Sequence, residues 1–182
     1  MNTNKDVFKV KTVNELYDIL SKYQYGISDF NGNLIQQDEY KTLSPYDVAI
    51  NKIAACWDFC ALEDKIFTDI LHINYCLYYI ESTFNNKQQT HTWLSYMENG
   101  VVKSFESSFD KCMGIHKFEN ELQMIDFYKD KFLGEHKNNS YIVIRYNQPE
   151  CHLSPQEFMK HMYKNGIVVR NYNDYWDFRK IE

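Results

Sequence analysis

The sequence carries a cysteine, a histidine and a glutamate in an order that suits nucleophilic acyl chemistry. Cys56 follows two alanines, and from Phe59 onward apolar residues recur three or four positions apart. This periodicity predicts an α-helix that begins at or near Cys56 and runs to about Leu71. A thiol at a helix start faces unpaired backbone N–H groups and the positive end of the helix dipole, which favour the nucleophilic thiolate. The preceding alanines leave room for a substrate backbone to approach.

His91 and Glu106 are the predicted partners of this thiol. They fall on two predicted strands, residues 90–97 and 101–106, joined by a hairpin turn at Glu98-Asn99-Gly100. Positions 91 and 106 are nearly equidistant from the turn, so we expect them to oppose each other with Cβ atoms about 4.5–5.5 Å apart. A carboxylate there fixes one imidazole nitrogen while the other faces the thiol. The histidine can then take the thiol proton and later return it to a leaving group.

Acyl transfer through a thiol also needs hydrogen-bond donors for the oxyanion that develops on the substrate. The backbone N–H of Cys56 is the first candidate. Asn51 or Trp57 is expected to supply a second donor, and Trp93, two residues after the histidine, is a further substrate-site candidate. Asp110 is the reserve residue for the acidic position.

Three short segments resemble a known family. Ala55-Cys56-Trp57-Asp58-Phe59, Thr90-His91-Thr92-Trp93 and Ser104-Phe105-Glu106 are similar to the transglutaminase-like superfamily, which belongs to the wider set of papain-like folds. The resemblance covers roughly residues 50–110 and implies Cys56 as nucleophile, His91 as base and Glu106 as orienting acid. It also implies a transglutaminase-like core, in which an antiparallel sheet packs against the helix that begins at the cysteine.

Two residues depart from the family pattern. Ala54 stands where the family often has a glycine two residues before the cysteine. The acid is usually an aspartate, whereas Glu106 is one methylene longer, so its strand is expected to lie slightly further from the histidine.

The whole chain, residues 1–182, is predicted to form a single α+β domain with its core at about 44–166. The helices and strands that surround the site follow from capping boxes, terminators and apolar alternation. Outside the site we expect helices that start at Thr12, Ser44, Glu119 and Ser154, strands at 74–82, 141–146 and 167–170, and irregular segments at 27–43 and 107–118.

Composition narrows the class of protein. The net charge is −5 and no long basic run occurs, so nucleic acid is not expected as a partner. No apolar run approaches about 18 residues, so no membrane span is expected. The polar N-terminus lacks the apolar core of a signal peptide. The five cysteines are odd in number and scattered, which fits a reducing cytoplasm better than a disulfide framework.

We expect no cofactor and no metal. Cys56 with Cys60, and Cys112 with His116, form two pairs at i, i+4 spacing that together would offer four zinc ligands. The pairs lack the usual knuckle form, so zinc is not the preferred interpretation.

The predicted function is hydrolysis of a peptide or isopeptide-like amide through a Cys56–His91–Glu106 triad and an acyl-enzyme, with a peptide or protein as substrate. A catalytically inactive binding protein of the same fold is the first alternative, since the aromatic tail at 171–182 would suit a protein partner. The second alternative is a transglutaminase or other acyltransferase. A thioester cofactor as acyl donor ranks last, because the sequence has no phosphate-binding loop.

Overall fold

The computed structural model describes residues 6–85 and 87–173 and has an α+β architecture. The helices of this part of the chain are α1 (Val13–Leu20), α2 (Pro45–Asn51), α3 (Cys56–Ile66), α4 (Glu121–Leu133) and α5 (Pro155–Asn165). The strands are β1 (Gln24–Tyr25), β2 (Ile53–Ala54), β3 (Tyr75–Phe84), β4 (Lys87–Glu98), β5 (Val101–Glu106), β6 (Gly114–Phe118), β7 (Tyr141–Tyr146) and β8 (Ile167–Tyr172). Strands β3 to β8 form one antiparallel sheet in the order β6-β5-β4-β3-β7-β8, while β1 pairs with β2 in parallel.

The hairpin between β4 and β5 sets the register of the two strands that carry His91 and Glu106. Asn99 and Gly100 form its two-residue turn with positive φ angles of 52° and 78°, which is the backbone that tight hairpin turns favour. Glu98 therefore pairs with Val101, and the ladder continues to the pair of Leu94 with Phe105.

The sheet carries a hydrophobic cluster on each face. Leu77 and Tyr79 of β3 belong to the larger cluster, which also includes buried side chains of α1, α3 and α5. Tyr78 and Ile80 point to the other face and join a smaller cluster with Trp93 and α4. Because α3 and α4 lie on opposite faces, side chains from the two faces can meet only at an edge of the sheet.

The start of α3 is fixed by the buried carboxyl of Asp58. Its Oδ1 accepts hydrogen bonds from the Tyr40 hydroxyl and the Leu43 N–H, both at 2.7 Å, and its Oδ2 accepts from the Ala55 N–H at 3.0 Å. Burial raises the pKa of Asp58 to about 6, although these hydrogen bonds oppose the increase. The carboxyl thereby ties the loop before α2 to the first turn of α3, where Cys56 lies.

The short pair of β1 and β2 brings a distant segment to the same place. Tyr25 aligns with Ala54, and the Gly26 N–H donates to the Ala54 carbonyl at 3.0 Å. Ala54, two positions before Cys56, is therefore held by a strand from the N-terminal part of the chain.

Several strands differ from the sequence-based expectation. β4 begins at Lys87, three residues before the expected start, because a polar run of low strand propensity is held in the sheet by pairing with β3. β6 lies inside the segment 107–118 that was predicted to be irregular, and it pairs with β5. β8 extends to Tyr172, whereas positions 174–182 of the aromatic tail lie outside the described residues.

Within the described ranges, no helix is both long enough and apolar enough to cross a membrane.

We expect Asp58→Ala to lower the free energy of unfolding by about 3 kcal/mol or more, because each buried polar group left unpaired costs about 1–3 kcal/mol. Urea denaturation followed by circular dichroism measures the change. Asp18→Ala removes an exposed carboxylate and is the matched control, with an expected change within about 0.5 kcal/mol. Equal losses in the two variants would contradict the structural role of Asp58.

Candidate active site

Cys56 is the first residue of α3, and only 5% of its surface is exposed. The first helical hydrogen bonds run from the N–H groups of Asp58 and Phe59 to the Ala55 carbonyl, both at 3.0 Å. The Cys56 N–H takes no part in the helix, and the described residues provide no main-chain acceptor for it. The sulfur therefore lies at the end of a helix where unpaired N–H groups stabilise negative charge.

The imidazole of His91 is held by the carboxylate of Glu106. Nε2 of His91 lies 2.7 Å from Oε2 of Glu106, and both residues are buried. The other carboxylate oxygen, Oε1, accepts hydrogen bonds from the Ser108 N–H and hydroxyl at 2.8 Å each and from the Phe109 N–H at 2.9 Å. Because Glu106 occupies Nε2, the remaining ring nitrogen, Nδ1, is left for the thiol.

The strand register differs from the expected opposition of positions 91 and 106. Leu94 pairs with Phe105, so the next position along both strands sets Glu106 beside Trp93 and not beside His91. His91 and Glu106 are diagonal neighbours on one face of the sheet, a separation that long side chains can bridge. The extra methylene of glutamate relative to aspartate provides reach for this diagonal contact.

His91 also interacts electrostatically with Cys56. Burial lowers the pKa of His91, but the negative charge of Glu106, the hydrogen bond to Glu106 and the interaction with Cys56 outweigh burial and raise it to about 10. The imidazole is therefore charged at neutral pH, as expected where a thiol proton has passed to a histidine.

Tyr25 lies beside the sulfur, and the sequence analysis did not single it out. Tyr25 and Cys56 line the same cleft, and the electrostatic interaction with Cys56, followed by partial burial, raises the pKa of the phenol. Tyr25 therefore keeps its proton and can donate it to a hydrogen-bond acceptor. The residue is 58% exposed, so a ligand can reach it. A two-residue strand pair brings it to the site, and so short a pair leaves no periodic signal in the sequence.

Asn51 and Asp110 do not contact the reacting groups. The side-chain amide of Asn51 donates to the Phe30 carbonyl at 3.1 Å, so its expected role as an oxyanion donor is not supported. Asp110 lines a cleft next to His91, but the hydrogen bond to the imidazole comes from Glu106.

The two tryptophans occupy opposite faces of the sheet. Trp57 lines a cleft beside Cys56, and its indole stacks on Phe158 with ring centroids 4.2 Å apart. Trp93 stacks on Tyr128 of α4 at 4.3 Å, on the face that carries His91. Both indole N–H groups are buried with no hydrogen-bond partner among the described residues, so each is an unpaired donor and the role predicted for Trp57 stays a prediction.

A second buried carboxyl, that of Glu63, links α3 to the segment that follows β5. Cys56, Cys60 and Glu63 follow an i, i+4, i+7 spacing and so share one face of the helix. Glu63 Oε1 accepts a hydrogen bond from the Ser107 hydroxyl at 2.6 Å. Burial raises the pKa of Glu63 to about 8, and the negative charge of Glu106 adds to the increase. Glu63 is therefore mostly protonated at neutral pH, so one carboxylate and not two lies near His91.

Two clefts open beside Cys56 and His91. The larger has a volume of about 680 Å³ and is lined by Cys56, Trp57 and Tyr40, among others. The smaller, of about 390 Å³, is lined by His91 and Phe109, among others. The residues that line both clefts are Tyr25, Gln89 and Thr90. A third cavity of about 700 Å³ lies at the other end of β3, and none of the three catalytic candidates lines it.

No group of three or more potential metal ligands is found in residues 6–85 and 87–173. His116 of the zinc quartet considered above instead places its Nε2 2.7 Å from the Cys112 carbonyl oxygen. The two cysteine-containing pairs are therefore not brought together as a metal site.

Comparison with known proteins does not assign a family. The sequence matches no model of a known protein family, and no curated protein matches it significantly.

We expect Glu106→Gln to lower the pKa of His91 from about 10, since the negative charge that opposes the effect of burial is then removed. An NMR titration of the imidazole Cε1–H signal measures it. Glu119→Gln removes an exposed carboxylate and should leave the His91 titration where it is. An unchanged titration in Glu106→Gln would mean that the carboxylate does not control the imidazole.

Glu63→Gln should change how stability depends on pH. The unfolded chain loses the Glu63 proton near its ordinary pKa of 4.5, whereas the folded protein keeps it to about pH 8. Between these values the folded state binds the extra proton, so wild-type stability falls with rising pH by about 1.4 kcal/mol per pH unit and levels off above. Glu63→Gln lacks this decline, so its stability relative to wild type should rise over that range.

Urea unfolding at several pH values measures this difference. Glu150→Gln, at an exposed position, controls for the loss of one negative charge. Parallel stability curves for wild type and Glu63→Gln would show that the carboxyl ionises in the folded protein as it does in the unfolded chain.

Proposed function

We propose that this protein is a cysteine hydrolase of transglutaminase-like type that cleaves a peptide or isopeptide-like amide. The observation that carries the proposal is that Cys56, at the start of α3, interacts electrostatically with His91, whose imidazole contacts the buried Glu106. Each of the three residues has the function that its position favours: nucleophile, proton carrier and orienting acid. The antiparallel sheet packed against α3 is the arrangement that the family resemblance implies.

The first half-reaction forms an acyl-enzyme. The Cys56 proton passes to His91, and the thiolate attacks the amide carbon, so that the C–S bond forms and the carbonyl oxygen becomes an oxyanion. The free N–H of Cys56 and the hydroxyl of Tyr25 stabilise that oxyanion. His91 then returns its proton to the amide nitrogen, the C–N bond breaks, and an amine leaves with a thioester remaining on Cys56.

The second half-reaction uses water. His91 takes a proton from a water molecule, whose oxygen attacks the thioester carbon, and the tetrahedral species collapses to a carboxylic acid and the Cys56 thiol. An amine in place of water would give acyl transfer through the same intermediate. Hydrolysis is preferred because the described residues include no group that selects an amine acceptor over solvent.

A cytoplasmic location fits the same chemistry. All five cysteines are free thiols, which supports a reducing compartment. A reducing environment also keeps the nucleophile from oxidation to a disulfide or sulfenic acid.

A catalytically inactive binding protein is the second candidate. The low exposure of Cys56 and the presence of Tyr25 in the same cleft favour it, because both restrict access to the thiol. In that case the clefts would bind a peptide or protein partner without cleaving it, and Cys56→Ser would leave the biological effect unchanged.

Alkylation by iodoacetamide distinguishes the two candidates. We expect Cys56 to react at least roughly tenfold faster than Cys76 and Cys151, because His91 activates its thiol. The other two thiols are more exposed, but they have no imidazole partner among the described residues. Intact-mass measurement and peptide mapping follow each thiol. His91→Ala should slow Cys56 to the rate of the other two, whereas His136→Ala, at an exposed position, should not. If Cys56 reacts no faster than Cys76 and Cys151 in the wild type, the hydrolase proposal fails.

A further inference from the structure

Strand β4 is twice as long as its partner β5 and extends beyond it. β5 pairs with residues 94–98 of β4, whereas β3 pairs with residues 87–96 of β4. Residues 87–93 of β4 therefore have no partner strand on the β5 side in the described part of the chain. This segment includes His91 and lines the clefts on both sides of the catalytic residues.

The register identifies which main-chain groups point to this open side. Glu98 and Val101 flank a two-residue turn and so exchange both of their hydrogen bonds. In an antiparallel ladder, bonding to a given neighbour alternates along the strand. The even-numbered residues of β4 thus face β5, and the pattern continues past its end to Thr92, Thr90 and Gln88.

Two of these three residues are accessible. Thr92 is buried under α3, next to Cys60. Gln88 and Thr90 are half-buried and line the clefts. In the described residues, no turn or loop hydrogen bond uses their N–H or C=O groups. Four main-chain groups, two donors and two acceptors, are thus available at the floor of the site.

The two clefts lie on opposite sides of this strand edge. The larger contains residues of the cluster that packs on α3, such as Cys56 and Trp57, and the smaller contains His91 and Phe109 from the α4 side. Cys56 and His91 therefore meet across the edge of β4. A chain that lay along this edge would pass directly between them.

We propose that the substrate binds as an extended peptide that adds a strand to β4 at Gln88 and Thr90. This inference rests on the proposed function and specifies its substrate: an unfolded or flexible peptide segment, held by its main chain, with its reacting carbonyl at Cys56. Residues i and i+2 of a strand are about 6.6–6.8 Å apart in protein and ligand alike, so the two ladders match.

The same geometry assigns the side chains of the ligand. Successive side chains of a strand point to opposite faces, so one substrate residue projects into the cleft of about 680 Å³ and its neighbour into the cleft of about 390 Å³. Main-chain pairing supplies affinity and the two clefts supply selectivity, as in other cases of strand addition.

N-methylated peptide reagents test the pairing. The probe is an N-acetylated tetraalanyl chloromethyl ketone, which alkylates Cys56 as its carbon–chlorine bond breaks and chloride leaves. Four analogues each carry one N-methyl group, at successive alanines. We expect alkylation to slow roughly 2- to 10-fold per lost hydrogen bond at alternate positions, and by less than about twofold at the positions between. Equal effects at all positions, or none, would overturn the proposal.

Variants of Gln88 test the protein side. Gln88→Pro removes an N–H that points away from β3, and proline is tolerated at such edge positions. It should slow the peptide reagent roughly 2- to 10-fold but leave iodoacetamide alkylation of Cys56 unchanged. Gln88→Ala keeps the N–H but removes the side chain, which contacts Met159, so the ratio of the peptide-reagent rates of Gln88→Ala and Gln88→Pro measures the contribution of the main-chain N–H. A Gln88→Pro variant that keeps its thermal unfolding midpoint and reacts with the peptide reagent like wild type would contradict the inference.

Iodoacetamide separates this inference from the proposed function. Rapid alkylation of Cys56 without an alternating N-methyl pattern would overturn strand addition alone. A Cys56 that is inert to both reagents would overturn the hydrolase and the binding mode together. If Gln88→Pro does not fold, the N-methyl series on the wild-type protein decides.

Discussion

The buried contact between Glu106 and His91 is the interaction on which the site depends. A carboxylate removed from water is costly unless its oxygens are hydrogen-bonded and a positive charge lies close by. Here one oxygen meets the imidazole and the other accepts three bonds from Ser108 and Phe109. Since these donors come from the residues directly after β5, the way in which β5 ends defines the position of the acid. The histidine is then charged, oriented and turned towards the sulfur by one neighbouring group.

Two further carboxyls hold the helix of the nucleophile in place, and they differ from Glu106 in what they contribute. Asp58 fixes the first turn of α3 through three hydrogen bonds to the preceding segments. Glu63 connects the same helix to Ser107, which directly follows Glu106. Because burial keeps Glu63 protonated near neutral pH, it provides a hydrogen-bonded link without a second negative charge beside His91. The distance between nucleophile and acid is thus controlled by groups that do not compete for the imidazole proton.

The sequence predicts the local parts of this site and fails where pairing is not local. The helix start at Cys56 follows from apolar spacing, and the strands of His91 and Glu106 follow from the Asn99-Gly100 turn. The expected opposition of positions 91 and 106 requires a turn centred between residues 98 and 99, whereas the turn consists of Asn99 and Gly100. A shift of the turn by one residue moves the opposing position by two, so position 91 does not oppose position 106. Tyr25 could not be found, since a two-residue parallel pair has no periodicity. The hydrogen bond of Asn51 to the Phe30 carbonyl is missed for a related reason, because that carbonyl lies in a loop whose path the sequence does not specify.

The short length of β5 determines both the position of Glu106 and the length of β4 that has no partner strand. If β5 continued for five more residues, its main chain would satisfy Gln88 and Thr90, and the chain would fill the space between Cys56 and His91. Ending at Glu106 places this residue diagonal to His91 and at the same time leaves residues 87–93 of β4 without a partner on that side, where we propose that the substrate binds. An open strand edge invites aggregation, which polar and charged edge residues discourage. The run Lys87-Gln88-Gln89-Thr90 has this character, and its low strand propensity is the reason that sequence patterns placed the start of β4 too late.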